Sequence, residues 1–234
     1  MHNQKLDRLI STAYIEIDIR ESFIKAWEMY KSRALLHSSY MMLMLTIQGA
    51  FVLYASQFSI LYSLILAPPL YSGFFLVANK ISTGEQVNYG SYFSGFNYWI
   101  LMFSIWLIAQ ILISIGLILL VIPGIYLAVS YMFAVLFGIF GGFDFWKSLE
   151  YSRKLVGRNF WQFLGLAVLL LLINVGPAAL SLVSPNAAMF YALWLCVSFP
   201  VSFFVLYVIF EGLVADALIE EEPTNLEGGN VLES

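Results

Sequence analysis

The side chains able to do chemistry are few. The chain has two histidines, His2 and His37, and one cysteine, Cys196. A structural zinc site takes four protein ligands and a catalytic one three, so one chain of this composition offers no metal centre. No phosphate-cradling G-x-x-x-x-G-K-[ST] run and no G-x-G-x-x-G is present, and Gly141-Gly142 lacks the Lys and Ser or Thr that would hold nucleotide and magnesium. Hydrolysis needs a nucleophile or an activated water beside a base, and no such set can be assembled. The expectation is a protein that is not an enzyme and uses no cofactor. Its cations could do binding chemistry instead. Arg153, Lys154 and Arg158 fall within six positions, a spacing suited to a phospholipid headgroup. No feature suggests nucleic acid.

Of the 234 residues, 61% are hydrophobic and 11% are charged, against roughly a quarter charged in soluble domains. A hydrocarbon layer about 30 Å thick needs about 20 apolar residues per helix. Six stretches meet that need: 34–55, 59–79, 98–119, 125–142, 160–182 and 188–212. The fold class expected is an all-α membrane protein, with six transmembrane helices in three hairpins plus cytoplasmic interfacial amphipathic helices. The divisions are an N-terminal cytoplasmic segment at 1–17, one membrane domain at 18–214 and an acidic cytoplasmic tail at 215–234. No cleavable signal peptide is expected, since the first residues mix cations with acids and lack a short apolar core.

Short links join the members of each pair, and the middle one carries Pro123-Gly124 in the run LLVIPGIYLAVSYMF. Pro lacks an amide donor and Gly accepts unusual dihedrals, so the pair predicts the hairpin turn. Every Lys and Arg lies before 34, at Lys80, or at Lys147, Arg153, Lys154 and Arg158, and the short turns have none. Cations gather on the cytoplasmic side of membrane helices. Both termini are therefore expected in the cytoplasm of a bacterial inner-membrane protein, with Pro123-Gly124 on the far side.

Two segments read as surface helices. Asp18 and Glu21 suggest a cap, Glu21 and Lys25 a pair four apart, and Ile19, Phe23, Trp27 and Tyr30 an apolar stripe over 18–33. At 144–156, Asp144 is placed to cap, Glu150 to pair with Lys154, and Phe145 and Leu149 to face lipid or protein. Within the spans, Pro68, Pro69 and Pro200 predict kinks at similar depth that could line a cavity, the freed carbonyls being taken by Ser63, Ser198 or Ser202. Gln48, Gln110 and Asn174 are the main embedded amides and suit interhelical hydrogen bonds.

PLYSG at 69–73, YFSGF at 92–96, GLILLVIPGIYLAVSYMF at 116–133 and SLEYSRKLVGRNFWQFLGL at 148–166 together resemble a large family of bacterial integral membrane proteins of unassigned activity. The pattern is also similar to the membrane domain fused to some glycerophosphodiester phosphodiesterases, whose catalytic barrel is absent here. The resemblance spans roughly 18–212 and implies a six-helix membrane protein. Two functions are expected from all this: an accessory or scaffold subunit, or biogenesis factor, of a larger membrane complex with a protein partner and bound phospholipids, or a transporter or flippase for a lipid or apolar solute.

Overall fold

The structure is a computed structural model that describes residues 17–182 and 185–219. Among them the fold is all α, without a strand: α1 (Ile19–Ser32), α2 (Ala34–Tyr54), α3 (Ala67–Ser82), α4 (Trp99–Leu119), α5 (Val121–Ser130), α6 (Ala134–Phe140), α7 (Phe145–Gly157), α8 (Phe160–Val175) and α9 (Pro185–Ile219). Six stretches are long and apolar enough to cross a membrane: Ala34–Tyr54, Ser56–Ser82, Tyr89–Leu119, Val121–Phe140, Phe160–Ala179 and Met189–Val214. This is a multi-pass membrane fold. Parts of the expected turn at Leu182 to Ala188, the segment before Ile17 and the acidic tail from 220 lie outside the described residues.

The two charged helices form where their caps predict. Asp18 accepts the amide of Glu21 at 2.8 Å, and Asp144 accepts those of Trp146 and Lys147 at 3.0 Å each. The amide of Lys147, then the Lys147 charge, holds the Asp144 carboxyl below the usual range. Lys25 pairs with Glu21 at 2.8 Å. The buried stripe of α1 is Ser22, Ala26 and Tyr30, rotated from the expected one. Small residues win there because they let α1 approach α9 closely, while Trp27 is left exposed.

Three features of the fold matter for the site. First, the link after α3 is itself largely helical. Residues Tyr89–Tyr98 form a 3-10 helix, started by a capping box in which Asn88 accepts the amide of Ser91 at 2.9 Å. It lies backbone to backbone on α3: a Cβ on Gly73 would meet the Tyr92 carbonyl, and one on Gly95 the Pro69 carbonyl.

Second, the hairpin turn is not at Pro123-Gly124. The break is a single extended residue, Leu120, and α5 begins at Val121. Pro123 thus sits in the first helical turn, where its missing N–H costs nothing because amides there lack intrahelical acceptors. Gly124 packs on Gly116, whose added Cβ would lie 2.9 Å from the Gly124 Cα, so the two helices touch almost at once.

Third, the second span is irregular ahead of its prolines. A 3-10 piece (Ser56–Phe58), one α-turn (Ser59–Leu61) and a π-helical stretch (Tyr62–Leu66) lead into α3, which places Pro68 and Pro69 in its first turn. Pro69 cannot donate to the Ile65 carbonyl, and the Trp99 indole does so instead at 2.9 Å. The serines serve other carbonyls: Ser63 donates to Ser59 at 2.9 Å and Ser202 to Ser198 at 2.7 Å. Around Pro200, α9 runs on as one helix.

The core is aromatic. Tyr40 stacks on Tyr92 with ring centroids 4.2 Å apart, and Phe74 on Phe203 at 5.3 Å. His37 is fully buried, edge-on to Phe204, with its Nδ1 paired to the Tyr92 hydroxyl.

Candidate functional site

The chain's own cations define one face of the bundle. Described Lys and Arg residues lie on α1, at its junction with α2, at the end of α3, or on and just after α7. We call this the basic face. Near it, α3 and α9 are tied by a polar relay: Asn79 donates to the Tyr207 hydroxyl at 3.0 Å, which donates to Glu211 at 3.0 Å, and Ser82 donates to the same carboxylate oxygen. A shallow hollow of about 520 Å³ lies beside Glu211, between α1, α3 and α9, and is lined by Lys25, Glu28, Ser32 and Ser82. Its charges are mixed, and Glu211 is already engaged.

A cavity of different character lies deeper. It measures about 420 Å³ and is walled by Tyr71 and Phe75 of α3 and by Phe199, Phe203 and Leu206 of α9. The opposite wall is the α4 to α6 hairpin, which contributes Trp106, Ala109 and Gln110 from one arm and Ala128, Met132 and Val135 from the other. The volume falls within the range of about 300–1000 Å³ typical of small-molecule sites. Its chemistry is that of a lipid tail or an apolar solute. Gln110 and Ala128 are exposed, so the cavity opens sideways between the hairpin and the spans. The Gln110 amide at that mouth has no hydrogen-bonding partner among the described residues, so a ligand carbonyl or hydroxyl there would find both donor and acceptor.

Sequence reasoning placed a cavity near kinked helices but named the wrong lining. Pro68, Pro69 and Pro200 are buried in helix packing and do not line it. Their neighbours do: Tyr71 follows Pro69 by two positions, and Phe199 precedes Pro200. The prolines are turned into the helix packing, while side chains one and two positions away meet the space. Gln110, an embedded amide by sequence, lines the cavity with Trp106 one turn before it on α4. Pro123 and Gly124 belong to the hairpin's end and stand apart from the cavity.

The basic trio is divided by one acid, Glu150. Arg153 donates Nε and Nη2 to the two oxygens of Glu150 at 2.9 and 2.8 Å, a fork matched to a carboxylate, whereas Lys154 stands 3.9 Å away. Hydrogen bonding with Glu150 raises the Arg153 pKa further and lowers that of Glu150. Lys154 also lies 5.5 Å over the Tyr151 ring. Arg158 is exposed and has no acidic partner among the described residues, so it is the member of the trio best placed to meet a phosphate.

No family model, curated protein or solved structure matches this chain.

Proposed function

We propose that this is a non-enzymatic membrane protein that holds a lipid acyl chain, or an apolar solute of similar size, within the bilayer, and that it serves as a transporter or flippase for that ligand. The observation that supports it is the cavity of about 420 Å³ with a lateral mouth at Gln110 and Ala128. A protein that acted solely as a scaffold would gain nothing from this unfilled space, because interiors normally pack to crystal-like density. Two proline-bearing helices, α3 and α9, frame the space on one side.

The reading includes an address. The described cations gather on one face, which the charge bias of membrane proteins assigns to the cytoplasm. The proposal accordingly takes the chain as a bacterial inner-membrane protein with both termini inside. On this reading phospholipid headgroups of that leaflet would meet Arg158, and the exposed Trp27, Trp146 and Trp161 rings suit the headgroup region.

The accessory-subunit reading remains as a second proposal because of another observation. One face of α2 exposes Leu35, Leu53 and Tyr54 at 76% or more, a surface open to a protein partner. Native mass spectrometry from mild detergent tests the first reading. Each polypeptide is expected to retain one lipid-sized or smaller apolar adduct that survives delipidating washes. Bare chains at all wash strengths would refute it, and a constant second polypeptide without adduct would favour the subunit.

A further inference from the structure

The amphipathic helix α7 is packed lengthwise along one arm of the hairpin. Near Gly138, an added Cβ would lie 3.4 Å from the Ser148 hydroxyl. Further along, Ser152 donates to the Ser130 carbonyl at 2.6 Å and accepts the amide of Phe133 at 3.2 Å. Beyond that, the Tyr126 hydroxyl lies 3.7 Å from where a Gly157 Cβ would be. From Gly138 to Tyr126 is about 18 Å of arm at 1.5 Å per residue. Over all of it the neighbour is a helix carrying Lys147, Glu150, Arg153 and Lys154, with side chains 36% to 56% exposed. Such a helix keeps its charged face in water or headgroups. The arm on its other side must then run parallel to the membrane surface.

Ring contacts give the same depth independently. Phe140 meets Tyr207, Phe137 meets Phe210, Phe133 meets both Phe210 and Phe163, and Tyr126 meets Phe160. Tyr207 and Phe210 lie near the Val214 end of the last span, and Phe160 and Phe163 at the start of the fifth, where Gln162 bonds Ile17 beside α1. These are all basic-face ends. An upright arm would have carried Tyr126 about 20 Å away from them.

We infer that the α4 to α6 hairpin lies in the plane of the membrane as a wedge in the basic-face leaflet, its turn at Leu120 seated among that leaflet's lipids instead of emerging on the far side. The end of the hairpin has the composition for it: Ile118, Leu119, Leu120, Val121 and Ile122 are 62% to 83% exposed. The turn after α2 contains Ser56, Gln57 and Ser59 instead. The backbone is economical too. A one-residue turn, a Gly124 amide bonded to the Leu120 carbonyl and a proline without N–H leave few amides to satisfy where water is scarce. The six apolar stretches would then make four crossings and one embedded hairpin. This inference goes beyond the ligand reading and stands or falls separately from it.

The test is a depth profile by spin-label power saturation. Single cysteines replace Ile100, Ile111 or Ile118 in the full chain with Cys196→Ser, reconstituted in phosphatidylcholine and phosphatidylglycerol vesicles. All three positions are exposed and should tolerate the label. A flat profile is expected, with every label on the same side of the bilayer centre as a reference label at Lys147. A profile that passes through the centre near Ile111, putting Ile118 about 27 Å from Ile100 in the opposite leaflet, would overturn the inference. A label at Ile118 shielded from oxygen would overturn it as well, by assigning a protein contact to the hairpin's end.

Discussion

Replacing Ala109 by Trp is expected to reduce the retained apolar adduct at least tenfold while shifting the melting temperature by only a few degrees. Ala109 lies in the hairpin wall of the cavity, next to Gln110 at its mouth and one turn from Trp106. An indole placed there projects into about 420 Å³ of space that has room for it, so the added ring fills a void and does not overpack a closed core. A ligand evicted from the space loses its buried contacts, and every 1.4 kcal/mol lost is tenfold in affinity. Ile100→Trp is the matched control. It adds the same ring to the same helix at a position 73% exposed and outside the cavity, and the adduct should persist. Equal adduct in the Ala109→Trp protein and wild type would remove the cavity as the binding place.

The largest effect on stability is expected from Gly73→Leu. A Cβ at Gly73 would clash with the main-chain carbonyl of Tyr92, and backbone cannot rotate aside as a side chain can. The 3-10 helix would have to leave α3, breaking the Tyr40–Tyr92 stack and the pairing of Tyr92 with His37. Overpacking costs about 1–3 kcal/mol when side chains yield and more when they do not, so a loss of about 3 kcal/mol or more is expected. Thermal denaturation in detergent should show a large fall in Tm or no folded protein at all. Gly49→Leu serves as the comparison, since nothing lies within 4 Å of a Cβ there, and it should be close to neutral. Similar melting of the two variants would show that the close approach of Tyr89–Tyr98 to α3 is not what holds these elements together.

The six apolar stretches were legible because hydrocarbon tolerates so few residue types, and the runs without charge can be counted. Helices α1 and α7 were legible through Asp18 and Asp144, whose side chains cap in the ordinary way. Where two physical roles share one sequence signal, the reading went astray. Pro123-Gly124 suits a turn and equally suits a helix's first turn followed by a close helix crossing, and the contact with Gly116 decides for the second. Tyr89–Tyr98, rich in Gly, Ser, Asn and Tyr, has the composition of a loop, and only the bare backbone of Gly73 and Gly95 across from it makes it a packed helix. Glu150 was given to Lys154 by the favourable four-residue spacing, but the planar fork of Arg153 fits the carboxylate better. The lining of the cavity could not be read, since an unfilled volume is a property of how α3, α9 and the α4 to α6 hairpin lean together and leaves no mark on any one of them.

Localised photocrosslinking in native membranes tests most directly whether the cavity is where the ligand sits. A phospholipid with a diazirine at the end of one acyl chain would be incorporated, irradiated and traced by peptide mass spectrometry. Crosslinks are expected on the α4 stretch holding Trp106 and Gln110 and on the α9 stretch holding Phe199 and Phe203, and Ala109→Trp should abolish both. Crosslinks confined to the exposed face of α2 and the outer end of the hairpin, unchanged by Ala109→Trp, would contradict a ligand held inside the bundle.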